Sequence, residues 1–114
     1  MAKTYMKYLI NTDLKLPAEK INCKHVFHLF VVYHPKRDLI IKKLKKNKIS
    51  VNINYPFPIH KMKAYKKFSP FNKKDLINTE RFSKGIFSLP LYPKLRENEI
   101  IRVSNILKKI LSKI

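Results

Sequence analysis

A single glycine, a single cysteine, no tryptophan and only 7 acidic residues mark this chain of 114 residues. One cysteine, Cys23, leaves no disulfide framework and no cysteine-cluster zinc site. One glycine, Gly85, leaves no glycine-rich phosphate loop. No apolar run approaches the roughly 18 residues of a membrane span. The opening MAKTYMKYLINTD has no apolar region followed by a small-residue cleavage site. These absences predict a soluble, cytoplasmic, reduced protein with no membrane partner. At this length the expectation is a single domain, residues 1–114, with a modest core.

Positive charge is what the chain has in excess, at a net +19. Such basicity brings nucleic acid or an acidic partner forward as candidates. Two details weaken that reading. Lysines outnumber arginines 22 to 4, whereas bidentate phosphate and guanine contacts favour arginine. The basic residues also run evenly along the chain, so neither half is a basic tail. Lys, Ile and Asn share A- and T-rich codons, and codon bias alone would raise the lysine content. A small basic binding module remains the alternative, with Tyr33, Phe57, Tyr65 and Phe71 as its stacking candidates.

There is no internal repeat and no Gly/Ser linker, and the seven prolines punctuate the chain. Met1, Tyr5, Tyr8 and Leu9 recur at helical spacing and predict a helix over Ala2–Ile10. His25–His34, HVFHLFVVYH, reads as a strand buried on both faces. Pro35 opens a second helix reaching about Asn47, with Leu39, Ile40, Ile41 and Leu44 as its apolar stripe. Ser50–Tyr55 alternates strictly, with Val51, Ile53 and Tyr55 opposite Asn52 and Asn54, and reads as a short strand. The following PFPIH is extended, because a residue before proline is pushed out of the helical region.

Lys61–Lys74 is a polar connection with one possible helical turn at Met62–Tyr65. Asp75 to about Gly85 is the third predicted helix, turning Leu76, Ile77 and Phe82 inward. IFSLPLYP follows as a buried extended element closed by Pro93. Glu97–Lys113 carries the clearest helical stripe: Ile100, Val103, Leu107, Ile110 and Ile114. The alternation predicts an α+β fold, a short, mostly antiparallel sheet covered by helices.

Most catalytic templates fail. Cys23 reads as a buried, inert thiol. His25 and His28, three apart in a strand, point to opposite faces and cannot share a metal ion. VNINYPFPIH, residues 51–60, is the exception. Asn52, Asn54, Tyr55 and His60 concentrate directional hydrogen-bonding groups suited to a polyhydroxylated ligand. The plainer alternative makes the asparagines the solvated face of an edge strand and the prolines its terminator.

HVFHLFVV, then VNINYPFPIH with KAYKK after it, then FSLPLYPKL before a terminal helix, resembles the C-terminal region of the DegT/DnrJ/StrS family. These are pyridoxal-phosphate-dependent sugar aminotransferases of fold type I. The elements occur in the family's order from about Thr4 to Ile114, and their combination is what makes the resemblance specific. It implies amino transfer to a keto-sugar nucleotide in polysaccharide or amino-sugar biosynthesis. The family's Schiff-base lysine, phosphate cup and pyridine-pairing acid lie in a large N-terminal domain upstream of the matched region. No catalytic or pyridoxal-phosphate-binding residue is therefore assigned here, and the chain is expected to be inactive alone.

The resemblance further implies a nucleotide-sugar substrate, a possible separate large-domain chain and a homodimer. By position it carries substrate binding onto Asn54, Tyr55 and His60, and packing onto Ser88–Pro93. Three residues depart from the pattern: Asn54 stands for histidine, Met62 for glutamine and Lys48 for glycine. An apolar docking face is expected on the first helix and the inner sheet.

Overall fold

The computed structural model describes residues 1–68 and 75–114, with Lys66 described in its backbone only. Its elements are α1 (Ala2–Leu9), β1 (Phe30–Tyr33), α2 (Arg37–Lys46), α3 (Ile77–Ser83), β2 (Ile86–Leu89) and α4 (Glu97–Leu111). Single 3-10 turns at Ile59–Lys61 and Lys66–Phe68 lie between α2 and α3. The two strands pair antiparallel, with Phe30 opposite Leu89 and Tyr33 opposite Ile86. This is the predicted α+β architecture with a shorter sheet.

Alternation sorts the sheet's two faces. Phe30, Val32, Phe87 and Leu89 are buried on one face, in a core shared with Tyr5 and Leu9 of α1, Ile40 and Leu44 of α2, and Ile100, Val103 and Leu107 of α4. Tyr33 and Ile86 lie on the other face, where the Tyr33 ring meets Phe82 of α3 edge-on at 5.2 Å. Three helices therefore share the core and α3 stands apart from it. Burial also pushes the Tyr5 phenol well above its ordinary range, with nearby Tyr92 adding to the effect. That phenol donates a 2.9 Å hydrogen bond to the Pro90 carbonyl and ties α1 to the end of β2.

The predicted strand His25–His34 contracts to Phe30–Tyr33, because a strand needs a partner. The last pair is Phe30 with Leu89, and the next partner would be Pro90, which has no N–H. Phe27 takes φ 49°, which breaks the extended run. Cys23, expected buried, is exposed, and His25 and His28 lie on this irregular stretch rather than on opposite strand faces.

Ser50–Tyr55 likewise forms no strand. It joins the sheet by one antiparallel bridge: the Ser88 N–H donates to the Asn52 carbonyl at 2.7 Å, and the Asn52 N–H donates to the Ser88 carbonyl at 3.3 Å. Lys15 bridges Tyr33 in the same way on the opposite edge. Both bridges use backbone groups that point away from the β1–β2 ladder, as alternation in an antiparallel pair requires. Val51 and Ile53 still pack on the core, as their spacing predicts, whereas Tyr55 is exposed.

Lys48, the departure from a glycine, sits at φ 57° immediately after α2. Its N–H donates to the Lys45 carbonyl at 3.0 Å and that of Ile49 to Leu44 at 3.1 Å. These are the two bonds of a Schellman C-cap, and buried Ile49 and Leu44 supply its apolar contact. The departure therefore bears on a turn. A left-handed lysine is strained where glycine is not. Lys48→Gly is expected to raise unfolding stability by about 0.5–1 kcal/mol, once glycine's greater unfolded-state freedom is counted. A denaturation midpoint unchanged or lowered in urea would contradict this.

Candidate functional site

Residues 52–68 leave the sheet edge and, with α3, enclose a cleft of about 970 Å³. Asn52 anchors the segment through its bridge to Ser88, and the Ser88 hydroxyl donates to Asn54 Oδ1 at 3.1 Å. Ser88 does more than pack: it fixes the base of this segment. The Asn54 oxygen is thereby occupied, while its Nδ2 has no partner among the described residues. The Asn54–Tyr55 peptide bond is cis.

Beyond Asn54 the segment turns aromatic. Tyr55, Phe57, Tyr65 and Phe68 line the cleft on one side, and Leu76 and Phe82 approach from α3 and the residue before it. Ile86 of β2 is also part of the lining. The wall is solvent-facing: Tyr55 is 74 % exposed, Phe68 71 % and Ile59 67 %. On α1 and the inner sheet, where an apolar docking face was expected, Tyr5, Leu9, Phe30 and Phe87 are buried within this chain's own core. Ile77, predicted to turn inward, is exposed as well.

Of the three residues assigned to substrate, Tyr55 and His60 line one cleft, and Asn54, next to Tyr55 in the chain, is not part of its lining. His60 sits on the first 3-10 turn, where PFPIH was predicted to stay extended. Its Nε2 lies 3.1 Å from Glu80 Oε1, while Lys61 Nζ donates to Glu80 Oε2 at 2.6 Å. The hydrogen bonds from Lys61 and His60 hold the Glu80 carboxyl below its ordinary range. It is an anion at neutral pH, bridging an ammonium and an imidazole.

Glu80 is the residue that sequence reasoning missed. It lies 20 positions from His60, and no local pattern links them. The available signal was composition: it is one of 7 acids in a very basic chain and precedes the FSLPLYP element.

Of the aromatic residues named for nucleic-acid stacking, Tyr33 packs on Phe82, and Phe57 and Tyr65 belong to the cleft. Phe71 lies outside the described residues, as does the stretch 69–74 of the predicted polar connection. The turn expected at Met62–Tyr65 is present, with the Tyr65 N–H donating to the Met62 carbonyl at 3.0 Å.

A pyridoxal phosphate cofactor needs a lysine for its Schiff base and a phosphate cradle. No described lysine is buried, and Lys61, next to cleft-lining His60, is held by Glu80. The described residues do not fit that cofactor by themselves. No described helix is long and apolar enough to cross a membrane.

Comparison with known proteins places this geometry. A dTDP-3-amino-3,4,6-trideoxy-alpha-D-glucose transaminase from Micromonospora megalomicea is 39% identical over 87% of this chain and 26% of its own length. A UDP-N-acetyl-3-dehydro-alpha-D-glucosamine 3-aminotransferase from Acidithiobacillus ferrooxidans is 31% identical over 94% of this chain and 28% of its own. Among solved structures, Streptomyces venezuelae DesV in complex with a ketimine intermediate superposes with a TM-score of 0.92 at 27% identity. That match covers 99% of this chain and 30% of DesV. The chain thus spans between a quarter and a third of these relatives. A model of the DegT/DnrJ/EryC1/StrS aminotransferase family matches residues 1–108, and this chain belongs to that family.

Proposed function

We propose that residues 1–114 form the C-terminal domain of a pyridoxal-phosphate-dependent aminotransferase acting on a keto-sugar nucleotide. In this reading the chain supplies part of the substrate site, and a separate large domain supplies the cofactor and its lysine. Homodimerisation and a cytoplasmic location go with it. The observation that carries the reading is the exposed aromatic wall of the cleft. Contiguous apolar surface of this kind marks an interaction site on a charged protein, and the relatives have some three-quarters more of their length to cover it.

Asn54, Tyr55 and His60 are the substrate contacts. An amide donor, a phenol and an imidazole at the edge of an apolar cleft suit a group that presents hydroxyls on one side and a flat face on the other. Amino transfer itself needs the cofactor, and no step of it is assigned to this chain.

The test begins with the coding frame upstream of Met1 and the protein it encodes. This chain alone is expected to bind an apolar dye and to give no specific pyridoxal phosphate absorbance. Mixed with a large domain bearing the Schiff-base lysine, it should lose dye binding and gain absorbance and transamination of a keto-sugar nucleotide. A stable mixture with no transamination would end the enzyme reading. Binding to nucleic acid that weakens steeply with salt would replace it.

A further inference from the structure

Two histidine–carboxylate pairs are found among the described residues, and their difference is informative. His34 is buried, with Nε2 2.9 Å from Asp13 Oδ2 and Nδ1 accepting the Lys36 N–H at 3.0 Å. Both ring nitrogens are engaged, so His34 joins the loop after α1 to the start of α2 and has nothing left for a ligand. His60 makes the same kind of contact to Glu80 but spends only Nε2. Its Nδ1 has no hydrogen-bond partner among the described residues, and the ring lines the cleft.

We propose that Glu80 is a positioning residue for His60: it accepts the hydrogen bond of the Nε2–H, holds the ring proton there and leaves Nδ1 as a hydrogen-bond acceptor for a donor group bound in the cleft. The chemistry follows from the donor inventory. An ionised carboxylate only accepts, so a neutral imidazole facing it through Nε2 must carry its proton there. Lys61 occupies the other carboxylate oxygen and can only donate, which fixes the carboxylate between two donors. The neighbouring Arg81 on α3 lies over the Phe82 ring at 5.0 Å. Among the described residues, the remaining titratable groups lining the cleft are the phenols of Tyr55 and Tyr65. A bound sugar hydroxyl is the donor that suits this acceptor, and that identification alone rests on the proposed function.

The experiment needs no ligand, so its failure leaves the substrate reading standing, and the failure of the reconstitution leaves this one standing. Imidazole nitrogen–proton correlation spectra of the full chain report the tautomer of His60. In the wild type the Nε2–H form should dominate by roughly tenfold or more, the bias of a hydrogen bond to a charged group. Glu80→Gln should reverse the preference. Its single oxygen goes to the Lys61 ammonium, its amide N–H turns to Nε2, and the ring proton moves to Nδ1. Glu80→Ala should give a mixture. The His34 signals, unchanged in all three, show that the fold is intact. An Nδ1–H tautomer in the wild type, or the same His60 tautomer in all three proteins, overturns the positioning role.

Discussion

Phe30→Ala is expected to lower unfolding stability by about 3–5 kcal/mol, the range for removing a buried aromatic ring from a core. Phe30 is fully buried, and its ring lies 4.9 Å from that of Tyr5 and 6.1 Å from that of Phe27. It also forms the last pair of the sheet, opposite Leu89. The ring sits where α1, β1 and the irregular stretch before β1 meet, so no single element can collapse into the space. Domains hold only about 5–15 kcal/mol in total, so much of this chain's stability is at stake. Phe57→Ala is the control, since Phe57 is 66 % exposed on the cleft wall and should change stability by no more than about 0.5 kcal/mol. Denaturation midpoints of the two variants decide the matter. A Phe30→Ala loss below about 1 kcal/mol would mean that the core is not organised around this ring.

The second large effect belongs to Gly85. A β-carbon there would lie 2.4 Å from Tyr33 Cε2 and 2.8 Å from the His34 carbonyl oxygen. The ring is not free to swing away, because Phe82 abuts it at 5.2 Å. The backbone is not free either, since the Gly85 carbonyl accepts the His34 N–H at 3.0 Å. Gly85→Ala is therefore expected to cost about 1–3 kcal/mol as overpacking. Relief of the clash moves Tyr33 against Phe82 and α3, so the cleft should change shape with it. Thermal unfolding measures the first effect and the intensity of a cleft-bound fluorescent dye the second. Wild-type values for both would show that the close approach at Gly85 is unimportant. The requirement here is space, since the glycine's φ is not positive.

The candidate site was only partly legible beforehand. Tyr55 and His60 stood out because a phenol and an imidazole flank two prolines, and the cleft holds them both. Glu80 did not stand out. Its role comes from a contact made across a turn and a helix, with His60 on one 3-10 turn and Glu80 on α3. Ser88 was read as packing, yet its hydroxyl holds Asn54 and its backbone holds Asn52. A serine in an apolar run carries no mark of which neighbour it will find.

The sequence by itself determined the positions of α1, α2 and α4, because a helix satisfies its hydrogen bonds within its own segment and its apolar stripe repeats locally. Ile100, Val103, Leu107 and Ile110 are buried where their spacing put them. The ordered motifs likewise carried the family. Only the tertiary structure decided how long the sheet would be, where apolar surface would remain exposed and which carboxylate would hold His60. Those three depend on partners far along the chain. A strand ends where its neighbour meets Pro90, an aromatic residue is buried only if another element covers it, and an imidazole takes its tautomer from whatever lies opposite.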